Sequence, residues 1–287
     1  MLEWLLGLGI GVWALYAIPK ELNRPQRRQI HCSIEFVDHG RYLDLMVYNA
    51  YGCEITASFE WQVLEGVQWE GDLPQVAVIP GFESVAVVRL YKTSSNPLYS
   101  GDWKWVWGSV AARHTPGVVY HLPYEPGERF PVAQGPGGTF THTGDSYHAV
   151  DFDMPIGTPV LAARAGIVVD VEGDFRAKGL SREAGGNYVL IQHDDDTVAE
   201  YFHLKTDSIK VVPGQEVEVG DYLARSGNTG CSNGPHLHLM VFRAVDGTRR
   251  ESLPMRFKYA GSSVATELQS GASYTAVAPA ADAAARV

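Results

Sequence analysis

The chain has 287 residues, 45% hydrophobic, 11% aromatic and 20% charged, and 33 acidic against 23 basic side chains leave a formal net charge of −10. Those proportions exclude a mainly disordered or collagen-like chain and suffice for two modest domains, each with its own core. An acidic balance without a dense Lys/Arg stripe argues against a nucleic-acid partner, whose affinity comes largely from neutralised phosphates. Three cysteines cannot make a disulfide scaffold, and 30 glycines and 16 prolines spread along the chain predict many turns and therefore an all-β protein of short strands.

The first element is the run Leu2–Ile18, apolar except for Glu3 and at the lower edge of what a helix needs to cross a bilayer. A cleaved signal peptide carries a basic start and a small-x-small exit. Glu3 precedes the run, and Ala14 and Ala17 are wrongly spaced, so residues 1–28 read as an uncleaved anchoring helix in preference to a signal peptide. Lys20, Arg24, Arg27 and Arg28 follow it, and the positive-inside rule would keep that flank cytoplasmic. From 29 to 119 the pattern is period two. Ile55, Ala57, Phe59, Trp61 and Val63 alternate with polar residues, and Trp103, Trp105 and Trp107 repeat that spacing. This predicts a small antiparallel β-sandwich-like domain whose aromatic ladder is core. Cys32 and Cys53 fall within it, and their pairing is left open.

Residues 120–138, with Pro126-Gly127 and Gly135-Pro-Gly-Gly138, have the composition of a linker. A second strand-rich domain is predicted for 139–260, from compact β-prone runs such as Ile167–Val171, Tyr188–Gln192, Val198–Phe202 and Leu239–Phe242. After Tyr259 the chain is Ala/Ser-rich and loses periodicity, so 261–287 is expected to be a disordered tail.

Six of the ten histidines lie between positions 142 and 238. In Gly234-Pro-His236-Leu237-His238-Leu239, strand geometry puts the two imidazoles on one face, about 7 Å apart, with Leu237 turned to the core. Upstream stand His148-Ala-Val-Asp151-Phe-Asp153, Gly157-Thr-Pro-Val160, Tyr201-Phe-His203-Leu204 and Gly227-Asn-Thr-Gly230. In this order the blocks resemble the lysostaphin/LytM family of zinc metallopeptidases, which cut peptidoglycan cross-bridges. The likeness covers about 135–242.

The resemblance implies an antiparallel β-sheet catalytic domain holding one Zn2+, with Asp151 and His238 as ligands and His203 and His236 as catalytic groups. It implies a peptidoglycan peptide as substrate and a site in the extracytoplasmic cell envelope, and the apolar run at 2–18 is expected to anchor the chain to the inner membrane. The commonest family pattern places the first ligand four residues before the aspartate, where this chain has Tyr147. His142, in Thr141-His-Thr-Gly144, resembles the Ser-His-x-Gly element of a family branch and is the expected first ligand. His148 is the alternative, although its odd spacing from Asp151 points the two to opposite strand faces unless a bulge intervenes. Three ligands of N, O, N type leave one position open for water, the arrangement of a catalytic zinc. A regulator of the same fold without activity is the competing functional reading. His193 reads as a strand-end residue, Asp153 as a solvated carboxylate, Asp194–Asp196 as a hairpin turn and Cys231 as a loop residue.

Overall fold

The structure, a computed structural model, describes residues 32–176, 178–179 and 185–279. The expected helix at 2–18 and the last eight positions of the expected tail, 280–287, lie outside the described residues. Among the described residues no helix is long and apolar enough to cross a membrane. The described residues fall into two compact units, 32–110 with Val245–Arg249 and Ala111–Ala244 with 250–279.

The first unit contains β1 (Ser33–Asp38), β2 (Tyr42–Tyr48), β3 (Ile55–Glu65), β4 (Val67–Gln68), β5 (Val76–Ile79), β6 (Ser84–Lys92) and β7 (Leu98–Trp107). They form two antiparallel sheets, in the orders β1-β2-β6-β4 and β5-β3-β7. Alternate residues are buried along both, Leu43, Leu45 and Val47 on β2 and Ile55, Ala57 and Phe59 on β3, as period-two patterning requires. Buried Asn49 ties the strand ends, donating to the Cys53 carbonyl at 2.7 Å and the Ile79 carbonyl at 3.0 Å. No disulfide joins Cys32 to Cys53, and the Cys32 thiol instead donates to Asn49 Oδ1 at 3.6 Å.

The second unit begins earlier than the sequence suggests. Residues 120–138, expected as a linker, carry β8 (Tyr120–His121) and β9 (Arg129–Gln134), and Tyr120, Leu122, Tyr124 and Val132 are core residues. The Pro/Gly pairs that imitate a joint are tight turns; Gly127, for example, has φ +91°. Next come a single 3₁₀ turn at Gly144–Ser146, β10 (Val150–Phe152), β11 (Pro159–Leu161), β12 (Gly166–Glu172) and β13 (Lys178–Gly179). After these the chain forms β14 (Tyr188–Gln192), β15 (Val198–Phe202), β16 (Glu216–Val217), β17 (Tyr222–Arg225) and β18 (Gly230–Cys231). The last strands are β19 (Leu237–Ala244), β20 (Arg250–Ser252), β21 (Phe257–Lys258) and β22 (Ser273–Thr275).

One nine-stranded antiparallel sheet organises this unit, in the order β16-β12-β14-β15-β19-β10-β9-β22 with β20 alongside β19. Its inner face buries Val150 and Phe152, Val189 and Ile191, Ala199 and Tyr201, and Leu237, Leu239 and Val241. The expected tail is a correction for 261–279: β22 pairs with β9, and Leu268 and Ala276 are buried. An Ala/Ser-rich composition hides the few side chains that matter there. They seal an edge of the sheet that the chain itself would otherwise leave open.

Candidate metal centre

Strand register brings the site residues together. Gln134 on β9 lies opposite Asp151 on β10, Asp151 opposite His238 on β19, and His238 opposite Phe202 on β15. Four residues therefore form a row across adjacent strands spaced about 4.8 Å. Their odd-numbered or even-numbered neighbours (Val150, Phe152, Leu237, Leu239, Tyr201) face the core, so the row must face the opposite side. His203 follows Phe202, just beyond the end of β15, and His236 precedes β19. The row floors a cleft of about 710 Å³ whose lining includes Asp151, His203, His236, His238, Glu200 and Arg250.

His142, Asp151 and His238 each offer a ligand atom, and these atoms lie within 4.8 Å of one another. Asp151 Oδ1 is 3.1 Å from His142 Nε2, 2.8 Å from His238 Nδ1 and 3.8 Å from His236 Nε2. His148 is outside this group: its backbone N–H donates to Ser252 Oγ at 2.9 Å, and its ring packs edge-on against Tyr147. His142 reaches the row because the loop after β9 folds back over the sheet, which spacing along a single strand cannot reveal.

Three imidazoles are held in one tautomer by the backbone. The Nδ1–H groups donate to carbonyls: His142 to Gly135 at 3.0 Å, His203 to Thr229 at 2.6 Å and His236 to Gly234 at 2.8 Å. In the neutral ring each Nε2 is then the acceptor nitrogen. His142 Nε2 is buried without a hydrogen-bond partner although Asp151 Oδ1 is 3.1 Å away. Two lone pairs facing each other at that distance in a buried site call for a cation between them, and the donor set of two imidazoles and one carboxylate suits zinc. The residues present therefore fit the metal that the sequence implies.

Charge in the cleft is organised in the same sense. Burial opposes ionisation of Asp151, but the His142 and His238 rings set against it outweigh that and hold the carboxyl well below the usual range. Burial likewise opposes a charged His238, and its hydrogen bond to Asp151 overcomes that and raises the pKa. For His203 burial, with the neighbouring His236 ring acting in the same direction, lowers the pKa to about 3, so this ring is neutral. His203 also adopts φ 64°, a left-handed backbone that a non-glycine residue rarely takes and that is often found at functional sites.

Several contributors are silent in a motif reading. The Gly227–Gly230 turn serves His203: Thr229 supplies the carbonyl, and its hydroxyl donates to the Leu204 carbonyl at 2.9 Å. Ser232 Oγ lies 3.2 Å from His236 Nδ1. Asp153 and Cys231 line the cleft but are not among the metal-ligand group. His193 lies elsewhere, donating from Nδ1 to the Ala165 carbonyl at 2.8 Å and packing on Tyr120. Asp194 and Asp195, in the turn between β14 and β15, both pair with Arg164.

Comparison with known proteins matches residues 145–250 to the peptidase family M23. Peptidoglycan DD-endopeptidase ShyA of Vibrio cholerae is 41% identical over 111 residues, 38% of this chain and 24% of that protein. Lysostaphin of Staphylococcus simulans is 37% identical over 114 residues, 39% of this chain and 21% of that protein. The chain thus spans about a quarter or less of the length of these relatives. A catalytic-domain mutant of the prophage-encoded M23 protein EnpA from Enterococcus faecalis aligns with 46% of this chain and 93% of its own, at 26% identity and a TM-score of 0.36. His142 precedes the segment that matches the family.

Proposed function

We propose that the chain, whose residues 145–250 match the peptidase family M23, is a zinc-dependent endopeptidase hydrolysing peptide bonds in peptidoglycan stems or cross-bridges. The observation that carries the reading is the trio His142, Asp151 and His238 beside two further imidazoles whose Nδ1–H groups are tied to backbone carbonyls. The trio would hold the zinc. When bound, such an ion polarises a peptide carbonyl and lowers the pKa of water toward ~7.

The remaining work belongs to His203 and His236. His203 cannot hold a proton at neutral pH, so its Nε2 accepts a hydrogen bond from the attacking water and orients it. His236 is more open to the cleft, with 17% side-chain exposure. Its Nε2 takes the water's proton and passes it to the departing amine as the C–N bond breaks, the ordinary duty of a general base turned acid. The Thr229 and Gly234 carbonyls keep both rings in the tautomer this requires. Such a substrate places the site in the extracytoplasmic envelope, with residues 2–18 as the proposed anchor. A regulator of the same fold without activity would have no use for a complete ligand trio.

The test is metal analysis of the purified chain together with mass spectrometry of peptidoglycan fragments. About one zinc per chain is expected, with new peptide termini released by the zinc-loaded protein and abolished by a chelator. Chelator-insensitive release, or a chain that holds no metal, would overturn the proposal.

A further inference from the structure

Gln134 sits where the loop carrying His142 meets the carboxylate of Asp151. Its Nε2 donates to Asp151 Oδ2 at 3.1 Å and to Thr141 Oγ1 at 2.6 Å. Its Oε1 accepts the backbone N–H groups of Phe140 at 3.0 Å and Thr141 at 3.1 Å. Three of the four contacts fix the orientation of the amide, and the Thr141 hydroxyl, able to donate or accept, fits it. Turned end for end, it would set an NH2 against two N–H donors and a carbonyl oxygen against a carboxylate. Packing points the same way: a Cβ on Gly138 would stand 2.2 Å from Gln134 Cγ and 2.7 Å from its Cδ. The loop therefore lies directly on this side chain, and position 138 has no room for anything larger than glycine.

We propose that Gln134 is a positioning residue of the metal centre, coupling the placement of the His142 loop to the orientation of the Asp151 carboxylate. The inference rests on the proposed ligand roles of His142 and Asp151. Asp151 Oδ1 faces the three imidazoles, whereas Oδ2 is held by Gln134. With Oδ2 so occupied the carboxylate is held against rotation, and a single oxygen is presented to an ion. A glutamine does this without charge, where a lysine or arginine in its place would compete with the cation. The same amide, through Phe140 and Thr141, fixes the two residues before His142. One side chain therefore sets the distance between two ligands that approach from different segments. Groups that orient metal ligands in this way typically contribute 10–100-fold to affinity.

The experiment compares the full chain with Gln134→Leu, which keeps volume and removes all four hydrogen bonds. Zinc affinity is read by competition with a chelating dye, and the ligand field by the visible absorption of the Co2+ form. Gln134→Leu should bind zinc 10–100-fold more weakly and shift the Co2+ bands. Thr141→Val, which strips one contact from the amide, should weaken zinc in the same direction by a few-fold, and it serves if Gln134→Leu does not fold. Unchanged affinity and spectra in the variants, with a parent that binds zinc tightly, would overturn the role of Gln134 and leave the proposed function standing. A parent that binds no metal would overturn both.

Discussion

At the residue scale, His236 and His238 are separated by one position yet should fail differently when replaced. His238 belongs to the trio proposed to hold the metal, and its Nδ1 lies 2.8 Å from Asp151 Oδ1. His236 Nε2 is 3.8 Å from the same oxygen, and its other nitrogen is tied to Gly234. His238→Ala should lose both zinc and hydrolysis. His236→Ala should retain zinc while its rate falls about 10²–10⁴-fold, the range for removal of a general acid–base group. Metal content and hydrolysis rates measured side by side decide this, and a variant at position 236 with the parent rate would refute the assignment. Both histidines, with Asp151 and His203, are legible in the sequence because their spacing from turn residues is local. His142 is legible only by analogy, since a folded-back loop brings it to the site. Gln134 is not legible at all, because its role depends on a partner across the β9–β10 ladder.

At the element scale, the turn from Gly227 to Gly230 works as a support for the end of β15. A Cβ on Gly227 would lie 2.5 Å from the Lys205 nitrogen, 2.6 Å from the Leu204 carbonyl carbon and 2.7 Å from the His203 oxygen. All three are backbone atoms and cannot swing aside. Gly227→Ala should therefore cost roughly 1–3 kcal/mol of overpacking and displace the Thr229 carbonyl from His203. The expected outcome is a lower urea midpoint and reduced hydrolysis with zinc retained, since none of the trio lies on this turn; a wild-type midpoint and rate would show that the turn can yield. The strands themselves are legible: the alternation in Ile55–Val63 becomes β3, and Tyr188–Gln192 becomes β14 as expected. Elements are misread where composition stands in for pattern. The Pro/Gly stretch 120–138 hides β9, and the Ala/Ser stretch after Tyr259 hides β22.

At the scale of the whole molecule, acid should unfold the protein through buried groups remote from the cleft. His193 is 3% exposed, and burial with the nearby charge of Arg164 lowers its pKa from 6.5 to about 4. The folded state thus keeps the ring neutral while the unfolded chain takes up a proton, so stability is complete above pH 6.5 and declines as pH falls toward 4. The loss attributable to this ring is roughly 3 kcal/mol at most. Asp195 acts in the same direction: hydrogen bonds from Thr197, Thr115 and Arg164 overcome its burial and lower its pKa, and their contribution is lost as it protonates. Urea titrations at pH 7 and pH 4.5, in chelator to remove any zinc contribution, should show a larger acid loss for the parent than for His193→Gln. Equal losses would exclude the buried ring as a source of acid sensitivity.

The order of residues by itself determined an all-β chain and most strand positions, and it singled out two candidate ligands and two catalytic candidates. These follow from period-two alternation and from short motifs, in which every interaction spans a few positions. Only the tertiary structure decided that 120–138 and 261–279 belong to the second unit, that His142 and not His148 joins Asp151 and His238, and that Gln134 stands behind them. Those facts arise from strand register and loop closure, where residues distant in the chain become neighbours. A spacing rule carries no information about such contacts, because their free energy comes from the sheet as a whole.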